Sequence, residues 1–217
     1  MDDFETSASD SDYVNSWISW FLGCKGNEYF CEIDEEYITD RFNLTYLNNE
    51  VHHYNDALEL ITDSFGLPCR NVYLPLVDHN VDTETRESIE KAASHLYGLL
   101  HARYILTSRG LQKMVRCQMI MIAWLWKREK FLKGHFGQCH RVLCRMQALL
   151  PVGLSDNPHT SPVKLYCPRC EDLYVPKSSR HASIDGAYFG TSFPHIFLQC
   201  YTNLIPLKTE ERVCYYF

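Results

Sequence analysis

The sequence predicts an α+β chain, with an α-helical N-terminal part followed by a small β-rich module stapled by metal. Three observations carry this. Apolar residues recur at helical spacing in successive stretches between residues 14 and 108. After residue 134 the composition turns to Gly, Cys, Pro and β-formers. Within that second part, Cys139, Cys144, Cys167 and Cys170 fall into two close pairs.

The elements follow in order. Val14, Trp17, Ile18 and Phe21 stand at i, i+3, i+4 and i+7, the stripe of an amphipathic helix, and Gly23 is placed to stop it. Asp34 is a cap for a short helix with Glu35 and Glu36 in its first turn, where the helix dipole favours acids, and with Tyr37, Ile38 and Phe42 apolar. Val51, Tyr54, Leu58 and Ile61 form a third stripe. Residues 64–82 contain two prolines and no helical period, and read as a long loop. The best helix spans about 84–108. Ile89, Ala93, Leu96, Leu100, Tyr104 and Thr107 line one face, Ala92, Leu99, Arg103 and Leu106 widen it, and Gly110 marks its end. In the second part VKLYCPRC, DLYVP, GAYFG and HIFLQC predict short strands and tight turns. The resulting division is an acidic disordered tail at 1–12, a helical domain at 13–112, an apolar and basic linker at 113–133, the metal-stapled module at 134–199 and a tail at 200–217.

Composition narrows the function classes. The net charge of −6 opposes a nucleic-acid binder built on global electrostatics. Charge is nonetheless segregated. Residues 1–63 hold 15 acids against Lys25 and Arg41, whereas residues 113–145 hold eight Lys/Arg against Glu129. That basic stretch motivates one alternative of another class, a zinc-ribbon nucleic-acid binder. The start MDDFETSASDSD is acidic and polar, unlike a secretory or mitochondrial leader. The ten cysteines are therefore expected in a reducing compartment, where clustered thiols bind metal more often than they form disulfides. The longest apolar run, Met119 to Trp126, is far shorter than the roughly 20 residues a membrane span needs, so no membrane role is expected.

The cysteine spacing is the most specific chemical signal. Cys139 and Cys144 form C-x4-C, Cys167 and Cys170 form C-x2-C, and 22 residues separate the pairs. Each pair suits a tight turn that presents two sulfurs, and the long connection lets the turns meet at one ion. This is the zinc-ribbon arrangement, four thiolates closing a tetrahedron around one structural Zn²⁺ per chain with no position left for substrate. A rubredoxin-type iron site uses the same ligand set, and four unrelated buried thiols are the plain alternative. Arg141, Arg145, Lys164 and Arg169 lie near enough in sequence to offset the site's negative charge. Cys24, Cys31, Cys69, Cys117, Cys200 and Cys214 lack a partner at ligand spacing. His52 and His53 read as solvent-facing and His101 as a satisfied structural histidine. No nucleotide-binding loop, metalloprotease pair, serine-nucleophile elbow or kinase catalytic loop occurs, so a non-catalytic protein is expected.

Specific words in the chain resemble the regulatory β subunit of casein kinase II. They are SWISWF (16–21), GNEYFCEIDEEYITDRFNLTYL (26–47), LYGLLHARYILTSRG (96–110), LPVGLSD (150–156), VKLYCPRC (163–170) and PKSSRHASIDGAYFGTSFPH (176–195). The blocks keep the family's order, and the cysteine pairs fall where the family has its zinc ligands. The testis-type, Stellate-like branch is similar too, particularly at the shortened C-terminal end. The resemblance implies a helical domain followed by a zinc ribbon, with two ribbons packing together as a homodimer or with a paralogous β subunit. It implies that the dimer binds the catalytic α subunit of the kinase and modulates it, in cytoplasm and nucleus. Leu165, Tyr166, Val175, Tyr188 and Phe189 are the interface candidates, with the module's own core as their plain alternative.

The sequence departs from the family in four places. The acidic loop between the third helix and the long helix is replaced by residues 64–82, whose acids are Asp78 and Asp82. Glu32, Asp34, Glu35 and Glu36 remain as candidates for an acidic regulatory patch. An insertion that includes MIMIAWLWKR precedes the ribbon. The C-terminal hairpin that docks the catalytic subunit is reduced here to Val213, Tyr215, Tyr216 and Phe217, a partial equivalent. Ser7 and Ser9, each with an acid three residues on, stand in for the family's N-terminal phosphorylation cluster. These departures motivate a further alternative, a diverged paralogue that dimerises or competes with the normal β subunit without docking the kinase.

Overall fold

The computed structural model describes residues 16–63, 83–115 and 136–207, and the chain divides into one unit ending at Leu100 and another beginning at His101. The loop read at 64–82, most of the linker with its apolar run, the N-terminal tail and residues 208–217 of the C-terminal tail lie outside the described residues.

The first unit opens with α1, Trp17–Gly23. Its start is satisfied twice. The Ser16 hydroxyl accepts the Ser19 N–H at 3.1 Å, and the Trp17 N–H donates to the Asp63 carboxylate at 3.2 Å. Trp17 and Phe21 face inward as their spacing requires. In α2, Glu35–Thr39, Asp34 occupies the cap position with extended backbone, yet its side chain makes no capping hydrogen bond. Phe42 lies outside that helix and is exposed. Of the third stripe, Tyr54, Leu58 and Ile61 lie in α4 (Tyr54–Ile61), while Val51 follows a shorter helix, α3 (Leu47–Glu50), as its cap. His53, in the left-handed region at φ 53°, turns the chain between them, and both His52 and His53 are exposed.

The long helix is α5, Thr83–Tyr104. Ala92, Ala93, Leu96, Leu99 and Leu100 are buried as read, while Ile89 is half-buried. Tyr97, outside the expected stripe, is also fully buried. Its ring packs on Trp17 at 5.8 Å and Phe21 at 4.9 Å. Its hydroxyl accepts the Ile33 N–H at 3.2 Å and donates to the Cys31 carbonyl at 3.0 Å. This hydroxyl lets an irregular stretch, which has no helical partner for those backbone groups, lie against a helix.

The second unit begins with the last turn of α5. The helix ends at Tyr104 rather than near 108, and residues 108–115 form a separate helix, α6. Thr107 explains the break, because its hydroxyl donates to the Tyr104 carbonyl at 2.7 Å and accepts the Gly110 N–H at 3.1 Å, as a helix cap does. Gly110 therefore opens α6 instead of closing α5. A Cβ there would overlap the Tyr104 carbonyl, so only glycine permits the bend. Leu106, expected to widen the buried face, sits in this turn and is more than one third exposed.

Three short strands make one antiparallel sheet in the order β1 (Leu150–Val152), β2 (Lys164–Tyr166), β3 (Leu173–Tyr174). Leu165 pairs with Pro151 on one side and Tyr174 on the other. Gly153 and Gly186 allow two backbones to touch, since a Cβ on Gly186 would stand 2.9 Å from the Gly153 Cα. HIFLQC, read as strand, lies in a helix that follows the short helix α7 (Ser179–Ala182), namely α8, Phe193–Cys200. Pro194 in its first turn and the buried pair Phe193 and Phe197 at i, i+4 are helix signals that outweigh the local β propensity.

His101 is fully buried. Its Nδ1 lies 2.8 Å from the Tyr188 carbonyl, and its ring meets Phe189 edge-on at 5.2 Å. Burial pushes the imidazole down to about 4, against the raising effect of the Tyr188 carbonyl. The folded protein thus holds a neutral ring while the unfolded chain takes up a proton near pH 6.5. The stability tied to this ring is present above about pH 6.5 and is lost as pH falls toward 4, on the order of 3 kcal/mol in full.

Both buried polar groups can be tested by substitution. Tyr97→Phe orphans a buried N–H and a carbonyl, and should cost about 1–3 kcal/mol in chemical denaturation. His101→Gln should flatten the dependence of the melting temperature on pH between 6.5 and 5, measured in excess zinc against the unaltered chain.

Candidate metal centre

The first cysteine pair sits on a turn held by its own backbone. The Cys139 N–H donates to the Gln147 carbonyl at 2.8 Å, and the Cys144 N–H donates to the Arg141 carbonyl at 2.9 Å. A bridge between Gln138 and Ala148 closes the base of the turn. Arg145 and Met146, both at positive φ, reverse the chain behind Cys144. The second pair leaves β2 directly. The Cys167 N–H donates to the Asp172 carbonyl at 3.0 Å, the Glu171 N–H donates to the Cys167 carbonyl at 2.8 Å, and Glu171 takes the left-handed conformation that returns the chain into β3.

The two turns bring all four sulfurs within 4.8 Å of one another. Cys139 Sγ lies 3.8 Å from Cys170 Sγ, and Cys144 Sγ lies 3.9 Å from Cys167 Sγ. A tetrahedron of sulfurs at the zinc–sulfur distance has edges of about 3.8 Å. The described residues hold no other such cluster of metal-ligating groups. The donor set therefore fits one structural metal ion, held by Cys139, Cys144, Cys167 and Cys170. Cys139, Cys144 and Cys167 are buried and Cys170 is half-buried. With four protein ligands the arrangement leaves no position for a reacting molecule.

As free thiols these groups resist ionisation unevenly. Burial pushes Cys144 well above its ordinary value, and its neighbours Cys139 and Cys170 add to the rise. Burial also pushes Cys167 up to about 11, against the opposing backbone N–H groups of Cys170 and Arg169. Burial acts the same way on Cys170, but hydrogen bonds from the Tyr174 hydroxyl and the Asp172 backbone outweigh it, so that thiol lies below its ordinary value. An ion supplies the positive charge that lets all four exist as thiolates at once. Around the site, Arg141 pairs with Asp172 at 2.6 Å, tying the first turn to the second.

The remaining candidates are distributed as follows. Leu165 and Phe189 are buried within the module, so they can act on an interface only through its shape. Tyr166 and Tyr188 are half-buried, and Val175 is 61 % exposed. Glu32 and Asp34 are half-buried while Glu35 and Glu36 are exposed. Ser7, Ser9, Val213, Tyr215, Tyr216 and Phe217 lie outside the described residues. Sequence reading missed Asp172 and Tyr174, which support the sulfurs from outside; their only signal was position, two and four residues past Cys170. Among the described residues no helix is long and apolar enough to cross a membrane.

Comparison with known proteins gives the family of the chain. The sequence model of a family described as casein kinase II regulatory subunit matches residues 16–215. The chain is 57 % identical over 220 residues to casein kinase II subunit beta-2 of Neurospora crassa, covering all of this chain and 68 % of that protein. It is 53 % identical over 207 residues to casein kinase II subunit beta of Schizosaccharomyces pombe, covering 95 % and 79 % respectively. With casein kinase II subunit beta' of Saccharomyces cerevisiae the identity is 47 % over 212 residues, covering 98 % and 73 %.

Protons compete with the metal for sulfur, so metal should be retained at pH 7 and released as pH falls. Elemental analysis of the purified chain should find about one ion per chain, and Cys167→Ser should abolish it.

Proposed function

This chain belongs to the casein kinase II regulatory subunit family, and from that premise we propose that it is a non-catalytic subunit whose zinc-dependent dimer binds and modulates the kinase's catalytic subunits. Zinc is the ion that suits four thiolates in a closed site with no redox task.

The observation that carries the dimer is a set of exposed apolar side chains beside the metal. Val142 is 90 % exposed, Leu143 54 % and Met146 48 %, all on or just after the first cysteine turn. Leu173 and Val175 are exposed on and beyond β3. The Arg141–Asp172 ion pair draws these two stretches together. Large apolar groups left exposed on two neighbouring stretches suit an interaction site, and in this reading a second copy of the module supplies the matching apolar face. Zinc acts on function through this surface, because it sets the turns that display it.

The catalytic subunit is the partner the family membership supports. The cytoplasm and nucleus are the compartments in which we place the complex, in keeping with a chain rich in cysteine. A chain that dimerises, or pairs with another β subunit, without binding the kinase would be the diverged paralogue instead.

Val142→Asp combined with Leu143→Asp should leave the zinc content unchanged and shift the protein from dimer to monomer in analytical ultracentrifugation at micromolar concentration. A pull-down with the catalytic subunit tests the second half. The zinc-loaded dimer should retain the kinase, and absence of a complex at micromolar concentration would leave dimerisation standing and remove kinase binding.

A further inference from the structure

Tyr174 stands where the two cysteine turns meet. Its hydroxyl oxygen lies 3.2 Å from Cys170 Sγ and 3.4 Å from Cys139 Sγ, one sulfur from each turn. The strand register explains the placement. Tyr174 is the last residue of β3 and pairs with Leu165, two residues before Cys167, so its side chain is fixed by the sheet and not by the metal. On the same side, Arg141 carries its charge to Asp172 at 2.6 Å, and its electrostatic neighbours include Tyr174, Cys170 and Cys139. Cys144 and Cys167 form the opposite edge. They are closed off from solvent, and Cys167 takes hydrogen bonds from the backbone N–H groups of Arg169 and Cys170. The half-buried edge of the site is the one that receives the phenol.

A tyrosine beside a thiol can donate or accept, but beside thiolates it can only donate. With all four sulfurs ionised around a divalent ion, two net negative charges remain, and each hydrogen bond to sulfur draws off part of that excess. We propose that Tyr174 is the positioning residue of the metal centre, donating its hydroxyl proton to the Cys139–Cys170 edge and thereby setting how firmly the two turns hold the ion. The inference rests on the zinc reading.

The test uses the full chain and the near-isosteric Tyr174→Phe, which keeps the ring and removes the donor. Zinc affinity is measured by competition with a chromogenic chelator, and the sulfur-to-metal charge-transfer band is recorded after cobalt substitution. Loss of an outer-shell partner typically lowers metal affinity 10- to 100-fold, so a loss of about tenfold or more is expected, with faster transfer of zinc to the chelator. The charge-transfer band should move to lower energy, because a thiolate that has lost a hydrogen bond gives up its electrons more readily. Tyr201→Phe, which removes a phenol hydroxyl at the end of α8, should change neither reading. Equal affinity and an unmoved band in Tyr174→Phe would overturn the proposal while leaving the zinc site intact; a starting chain that binds no zinc would overturn both. Should Tyr174→Phe fail to fold, the unaltered chain loaded with cadmium-113 answers the question. Scalar coupling between the Tyr174 hydroxyl proton and the metal supports the hydrogen bond, and its absence refutes it.

Discussion

Two turns whose cysteine pairs are separated by 22 residues must deliver four sulfurs to one point, and the second unit is organised around that requirement. Each turn contains residues in the left-handed region, Arg145 and Met146 in one and Glu171 in the other, and none of them is glycine. Such conformations persist when surroundings over-determine them. Here the surroundings are backbone hydrogen bonds within each turn, the sheet that leads into and out of the second, and the ion the sulfurs are spaced to hold.

The sheet is too small to do this alone. Three strands of three, three and two residues cannot bury enough apolar area to offset the entropy of ordering the connections between them. The module gains its remaining order from α8, whose Phe193 and Phe197 are buried, and from the close backbone approach at Gly153 and Gly186. His101 adds a polar contact from the end of α5 to the Tyr188 carbonyl. A histidine in that place holds its neutral form, so it gives the module a hydrogen bond at neutral pH and a liability in acid.

Much of this was legible in the sequence, for reasons that can be named. Cysteine pairs at ligand spacing admit few uses, so Cys139, Cys144, Cys167 and Cys170 could be read as one site, and the fold gathers those four sulfurs. Trp17 and Phe21, or Leu96 and Leu100, obey a period that only one helical face satisfies. The errors came where a single side chain redirects the backbone. Thr107 ends α5 by capping the next helix, and nothing in the apolar period between Leu100 and Tyr104 announces that. HIFLQC is rich in β-formers, but Pro194 and the Phe193–Phe197 pair decide for a helix. Tyr97 and Tyr174 were invisible for another reason. Each matters through its hydroxyl, and whether a hydroxyl meets the Ile33 N–H or a cysteine sulfur depends on register, which no local pattern states.

The order of energies then connects the metal to the proposed assembly. In zinc-finger peptides metal binding is worth about 10–16 kcal/mol, comparable to or larger than the whole stability of an ordinary domain at about 5–15 kcal/mol. Burying one large apolar side chain contributes about 1.5–3 kcal/mol. Val142 and Leu143 lie between Cys139 and Cys144, and Leu173 lies three residues past Cys170. Metal binding, the stronger of the two effects, therefore sets where these side chains stand, and their burial in the proposed dimer would add the weaker one. Removing the ion would dissolve the surface before any individual contact across it was weakened. Removing one apolar contact would weaken the surface and leave the ion in place. That asymmetry separates two parts of the proposed role: the proposal of a dimer rests on residues whose geometry is in view, whereas the proposal that it captures the catalytic subunit rests on family membership.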